Sequence, residues 1–158
     1  MTAVEGKPIL RSLGANLAVF ILLPLLLNGV IFWLGWDKQS ADGSGQMQGI
    51  PPGWAVGAIW MALFTGMGVA RWLLLERAPR WLAEGTSLLA FLCLLYPLYT
   101  SGLRNDHVGL IGNLLTAAVA IPLAAAIWRR SRVAAGCIAA ICAWLLYAAA
   151  ATAHGLYH

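Results

Sequence analysis

Five stretches of this sequence contain no Asp, Glu, Lys or Arg: residues 12–36, 43–70, 85–103, 107–128 and 133–158. Each is 19 to 28 residues long, and a helix needs about 20 predominantly apolar residues to cross the hydrocarbon core of a bilayer. In lipid an isolated segment satisfies its own backbone N–H and C=O groups only as a helix. The pattern therefore predicts an all-α fold, an integral membrane bundle of five transmembrane helices at about 12–36, 52–75, 81–101, 108–128 and 133–153. With 61% hydrophobic and only 10% charged residues in a chain of 158, these helices form a single domain over 1–158 and leave little chain for a soluble one. Lys7 and Arg11 before the first apolar run are compatible with a signal peptide. That run, however, ends in Trp33-Leu34-Gly35-Trp36 rather than in a small-residue cleavage site, and it is read as a mature helix.

The few charges carry topology. Lys7 and Arg11, then Arg71, Arg77 and Arg80, then Arg129, Arg130 and Arg132 alternate with segments holding only Lys38, only Arg104, and none. Under the positive-inside rule this puts the N-terminus in the cytoplasm and the C-terminus outside, most simply in a bacterial inner membrane. Basic residues split among short loops give no face for nucleic acid, so the bilayer is the expected partner. Glu84 and Arg71 lie near helix ends, where they can snorkel to the interface, so no intramembrane proton pathway is expected. No nucleophile elbow, phosphate loop, zinc motif or dinucleotide fingerprint is present. Cys93, Cys137 and Cys142 fall inside spans and read as small buried hydrophobes. His107, His154 and His158 fall near the outer face, either as interfacial side chains or as a pair bracketing a haem between the fourth and fifth helices. The loop 37–50, rich in Gly, Ser and Gln, reads equally as a lid and as a tether.

The most specific stretch is PPGWAVGAIWMALFTGMGVARW, residues 51–72. Wound at about 100° per residue, Trp54, Gly57, Trp60, Phe64, Met67, Gly68 and Trp72 fall within an arc of roughly 140°. A second seam, Ala58, Ala62, Gly66 and Ala70, repeats every fourth residue and suits close approach of a neighbouring helix. Leu95, Tyr99 and Arg104 match the loose sterol-contact pattern.

The order of residues in this stretch resembles the second-helix signature of the TspO/MBR family, the tryptophan-rich sensory proteins. Pro51, Pro52, Trp54, Gly57, Trp60, Leu63, Met67, Gly68, Ala70 and Trp72 stand at the signature positions, with Phe64 in place of a tyrosine. Tyr96-Pro97-Leu98-Tyr99 with Gly102-Leu103-Arg104 is similar to the end of the family's third helix, and Trp144, Tyr147 and Ala148 to its fifth. Gly49 and Ala58 replace a tryptophan and a proline of the signature. In the third helix Leu92 and Leu95, or in a shifted alignment Cys93 and Tyr96, replace an asparagine and a tryptophan. Thr152 replaces an asparagine of the fifth helix.

The resemblance implies a five-helix bundle, a homodimer, and a pocket opening toward the 1–2 loop that binds a flat hydrophobic ligand of the tetrapyrrole or sterol class. It implies Trp54, Trp60, Phe64 and Trp144 as aromatic walls and Pro51 and Pro52 at the mouth. Gly57, Leu92, Leu95 and Tyr96 would complete the lining, with Ala148 keeping the cavity open. No cofactor is required, and porphyrin or haem would bind as a ligand. A receptor or sensor is the leading function; a small transporter of such ligands and a porphyrin-degrading enzyme remain alternatives.

Overall fold

The computed structural model describes residues 12–35, 51–98, 103 and 105–157. The N-terminal charges, the 37–50 loop, Gly49, Tyr99, Gly102, Arg104 and His158 lie outside the described residues, and with them the lid or tether and most of the sterol-type pattern. Among the described residues every regular element is helical: α1 Leu13–Trp33, α2 Gly53–Arg77, α3 Arg80–Leu94, α4 Asp106–Trp128 and α5 Arg132–Tyr157.

Local chemistry sets the helix ends. Gly35 takes φ +71°, the left-handed conformation that glycine adopts without a Cβ penalty. It stops α1 at Trp33, short of the expected Trp36. Ala78 is extended ahead of Pro79, which ends α2 and starts α3. The Asn105 side chain accepts from His107 N at 3.0 Å and Val108 N at 3.3 Å to cap α4, and Ser131 Oγ accepts from Ala134 N at 3.2 Å to cap α5.

The third helix differs most from expectation, ending at Leu94 after 15 residues instead of near 101. Pro97 has no N–H to donate, and its ring would collide with the Cys93 carbonyl in a continuing helix. Leu95 keeps right-handed helical angles and helical winding resumes irregularly over 96–98, with Leu98 N bonding Leu95 O and Leu103 N bonding Leu98 O, each at 3.0 Å. At 1.5 Å per residue Arg80–Leu94 is about 22 Å long, and the helical residues 96–98 extend it toward a hydrocarbon core of about 30 Å. Four helices, α1, α2, α4 and α5, are long and apolar enough to cross a membrane, and α3 is the fifth helix of the bundle.

Helices α2, α3, α4 and α5 contact one another in a closed ring, most extensively between α4 and α5, while α1 lies outside it against α2 and touches α3 lightly. Met67, Leu74, Leu82, Leu89, Ile127, Ile138, Ile141 and Leu145 are fully buried in the ring. Alanines 117, 120, 134, 135, 148 and 149 are buried on α4 and α5, which lets these two helices approach closely. On α1 a single stripe, Asn16, Phe20 and Pro24, is buried at four-residue spacing. Leu22, Leu26 and Val30 face outward, as lipid contact allows.

Two glycines hold the closest helix contacts. A Cβ at Gly68 would lie 3.2 Å from Phe20 Cβ and 3.4 Å from the Asn16 carbonyl oxygen. One at Gly85, near the start of α3, would lie 3.0 Å from Leu123 Cδ1, near the end of α4. The four-residue seam on α2 is used in its second half alone. Ala70 is buried and Gly66 faces Cys137 at 3.5 Å, whereas Ala58 and Ala62 are exposed. The closest packing of α2 on α1 thus falls on Gly68, which the periodicity had placed among the aromatic residues.

Candidate functional site

Aromatic side chains from three elements meet around Trp60. Its ring lies 5.9 Å from Phe64 one turn along α2, 5.3 Å from Tyr96 just after α3, and 6.5 Å, edge to face, from Trp144 of α5. Trp144 in turn stacks on Tyr147 at 5.5 Å with planes 29° apart. Such tilted and offset contacts suit the ring quadrupoles and contribute about 0.5–1.5 kcal/mol each beyond area burial.

Polar groups at this cluster are incompletely satisfied. Asn113 of α4 is 1% exposed, and among the described residues neither its amide oxygen nor its amide nitrogen has a partner within the geometric limits of a hydrogen bond; the Trp144 Nε1–H also lacks one. Tyr96 is close enough to Asn113 for the two side chains to interact. Each unmatched buried group costs about 1–3 kcal/mol. On the outer side of Trp144 a groove of about 440 Å³ runs between α2 and α5, lined by Pro51, Ile59, Leu63, Ala140, Ala143, Trp144 and Tyr147. Trp144 therefore belongs to both the buried cluster and the groove.

The residues implied by resemblance divide accordingly. Trp60, Phe64, Tyr96 and Trp144 come together, Pro51 borders the groove, and Ala148 is buried one turn beyond Trp144. Leu92 and Leu95 are half-buried at the end of α3. Pro52 is exposed at the start of α2, and Gly57 has nothing within 4 Å of where a Cβ would stand. Trp54 is 79% exposed and lies outside the cluster. Six residues at about 100° each turn it some 120° around α2 from Trp60, so the arc read from the sequence is wider than the face the bundle uses. His107 and His154 are exposed at the ends of α4 and α5, and the described residues hold no group of three His, Cys, Asp or Glu side chains placed for a metal.

A second constellation was not visible in the sequence. Arg71 does not snorkel outward. Its Nε–H donates to Ser87 Oγ of α3 at 2.7 Å, and its Nη1–H donates to Asn16 Oδ1 of α1. Asn16 Nδ2 donates to Ser12 O at 2.9 Å, and the Ser87 hydroxyl donates to Ala83 O at 3.1 Å. Beside this clamp lies a cavity of about 220 Å³ between α1, α2 and α3. The only signal for it was a basic residue on the same helix as the buried face, and its radial direction depends on where α1 and α3 pack.

A family model described as the TspO/MBR family matches residues 20–157, nearly the whole chain. No curated protein and no solved structure matches it.

Proposed function

The chain belongs to the TspO/MBR family, and on that premise we propose that it is a membrane receptor or sensor that binds a flat hydrophobic ligand against Trp60, Tyr96 and Trp144. The observation that carries this reading is the convergence of aromatic rings from α2, α5 and the segment just after α3 on the unmatched polar atoms of Asn113 and Trp144. Apolar packing alone has no use for an unpaired amide and an unpaired indole N–H, whereas a ligand with a π face and a polar edge matches both. A tetrapyrrole has such a face and edge. A sterol, with aliphatic faces and one hydroxyl, matches them less well.

The groove between α2 and α5 is the route this reading assigns. It is a shallow, open groove whose Ala140, Ala143 and Tyr147 are exposed, so a ligand reaches it sideways. A planar ligand lying there stacks along Trp144 and Tyr147 and reaches Asn113 once the Trp60–Trp144 edge contact opens. A homodimer, an inner-membrane location and a cytoplasmic N-terminus complete the proposal, resting on family membership and on the alternation of basic loops. Titrating the purified protein with protoporphyrin should quench tryptophan fluorescence to saturation, and a sterol added afterwards should displace it poorly. Quenching that stays linear, with no saturation above a detergent blank, contradicts the reading.

A further inference from the structure

We infer that the cavity between α1, α2 and α3 is a second binding site, for an acyl amphiphile with an anionic headgroup held by Arg71. This site shares only Phe64 with the aromatic cluster and does not depend on whether that cluster takes a tetrapyrrole. A guanidinium has five N–H donors; among the described residues two are committed, to Ser87 and Asn16, which leaves three. Among the described residues no carboxylate pairs with Arg71, and Glu84, which is exposed, acts on it only at longer range. Ser87 and Asn16 are neutral, so they fix the guanidinium in place without cancelling its charge.

The rest of the cavity is apolar. Phe20 and Pro24 of α1, Phe64 of α2, and Ala90 and Leu94 of α3 form its walls. From Ser87 to Leu94 the α3 wall runs about 10 Å at 1.5 Å per residue. One end is thus cationic and the remainder suits a hydrocarbon chain. At about 220 Å³ the cavity is below the range of about 300–1,000 Å³ for compact drug-sized ligands, so it suits one acyl chain and not a macrocycle. Its mouth opens sideways. Val19, Leu23 and Phe91 line it while remaining 41%, 47% and 56% exposed, and α1 and α3 touch only lightly. A chain lying in the bilayer can slide between these helices. Six residues separate Arg71 from Arg77 at the end of α2, about 9 Å of helix, so the charge sits within reach of the interface. A fatty-acid carboxylate and the phosphodiester of an anionic lipid share this chemistry.

Native mass spectrometry of the full chain in a neutral detergent tests the site, with oleate, dioleoylphosphatidylglycerol and the uncharged monooleoylglycerol as probes. The anionic probe should be retained about tenfold better than the neutral one, the size of one charge-assisted hydrogen bond. Retention of oleate alone identifies a fatty-acid site, of the phospholipid alone a lipid site, and of both a site for the anionic headgroup itself. Arg71→Gln should abolish the preference. Arg80→Gln, an exposed charge at the same end of the bundle and outside the cavity, should leave it unchanged. Val19→Trp, at the exposed mouth, should lower retention of the anionic probes even if Arg71→Gln fails to fold. Equal retention of neutral and anionic probes, equal loss in the Arg80 variant, or unchanged binding in Val19→Trp overturns the proposal.

Discussion

On the proposed reading, Asn113 and Trp144 are the residues at which folding and binding pull in opposite directions. Both bury polar atoms that have no partner, and an apolar isostere removes that cost without opening a cavity. Asn113→Leu should therefore raise resistance to unfolding in detergent by about 1–3 kcal/mol while weakening porphyrin binding. Unfolding measured against denaturing detergent checks the first effect, and fluorescence titration the second. A variant that loses stability would show that the amide is satisfied in the native protein. At this scale the sequence was informative about identity and poor about direction. Trp60 and Phe64 were legible together because aromatic residues at helical spacing share a face, whereas Trp144 of α5 was reached through family resemblance alone. The directions of Trp54 and Arg71 were not legible for one reason: distance along a helix says nothing about which neighbour packs on which side. Trp54 turned outward and Arg71 inward.

Among the elements, α1 on α2 and α3 on α4 meet at glycines whose surroundings differ. Alanine replaces glycine within a helix with a gain of about 0.5–1 kcal/mol from lower backbone entropy in the unfolded chain. At Gly85 the obstructing atom is Leu123 Cδ1, the far end of a side chain that can rotate away, so Gly85→Ala should be neutral or slightly stabilising. At Gly68 the obstructing atoms are Phe20 Cβ and the Asn16 carbonyl oxygen, which cannot move without shifting α1. Gly68→Ala should destabilise by about 1–3 kcal/mol, as overpacking does, and should also loosen the Asn16–Arg71 contact. The same unfolding assay compares the two variants, and equal effects would contradict this account of the packing. The existence and order of the helices were legible because uncharged stretches of sufficient length leave lipid-embedded chain no other choice. Their ends were less so. A left-handed glycine at 35 and a proline at 97 decide where α1 and α3 stop, and such signals act locally against an apolar pattern that runs on past them.

Across the whole molecule, α3 decides the topology. If its 15 residues and the helical residues 96–98 together cross the bilayer, the chain passes five times and its termini lie on opposite sides. Reporter fusions active on only one side of the membrane should then give opposite signals at residues 1 and 158. Matching signals would mean that α3 enters and returns. The bundle also separates two regions. The ring cluster sits toward the start of α2 and the end of α3, and the Arg71 clamp toward the end of α2 and the starts of α1 and α3, with Phe64 lining the one and touching the other. The central claim is that ligand binds at the cluster the fold assembles, not along the full aromatic arc of α2. Porphyrin affinity of Trp144→Leu and Trp54→Leu, measured side by side, tests it most directly. Loss of the Trp144 ring should weaken binding about tenfold or more, equivalent to about 1.4 kcal/mol, and loss of the Trp54 ring should leave affinity unchanged. Unchanged affinity in Trp144→Leu, or an equal loss in Trp54→Leu, would contradict it.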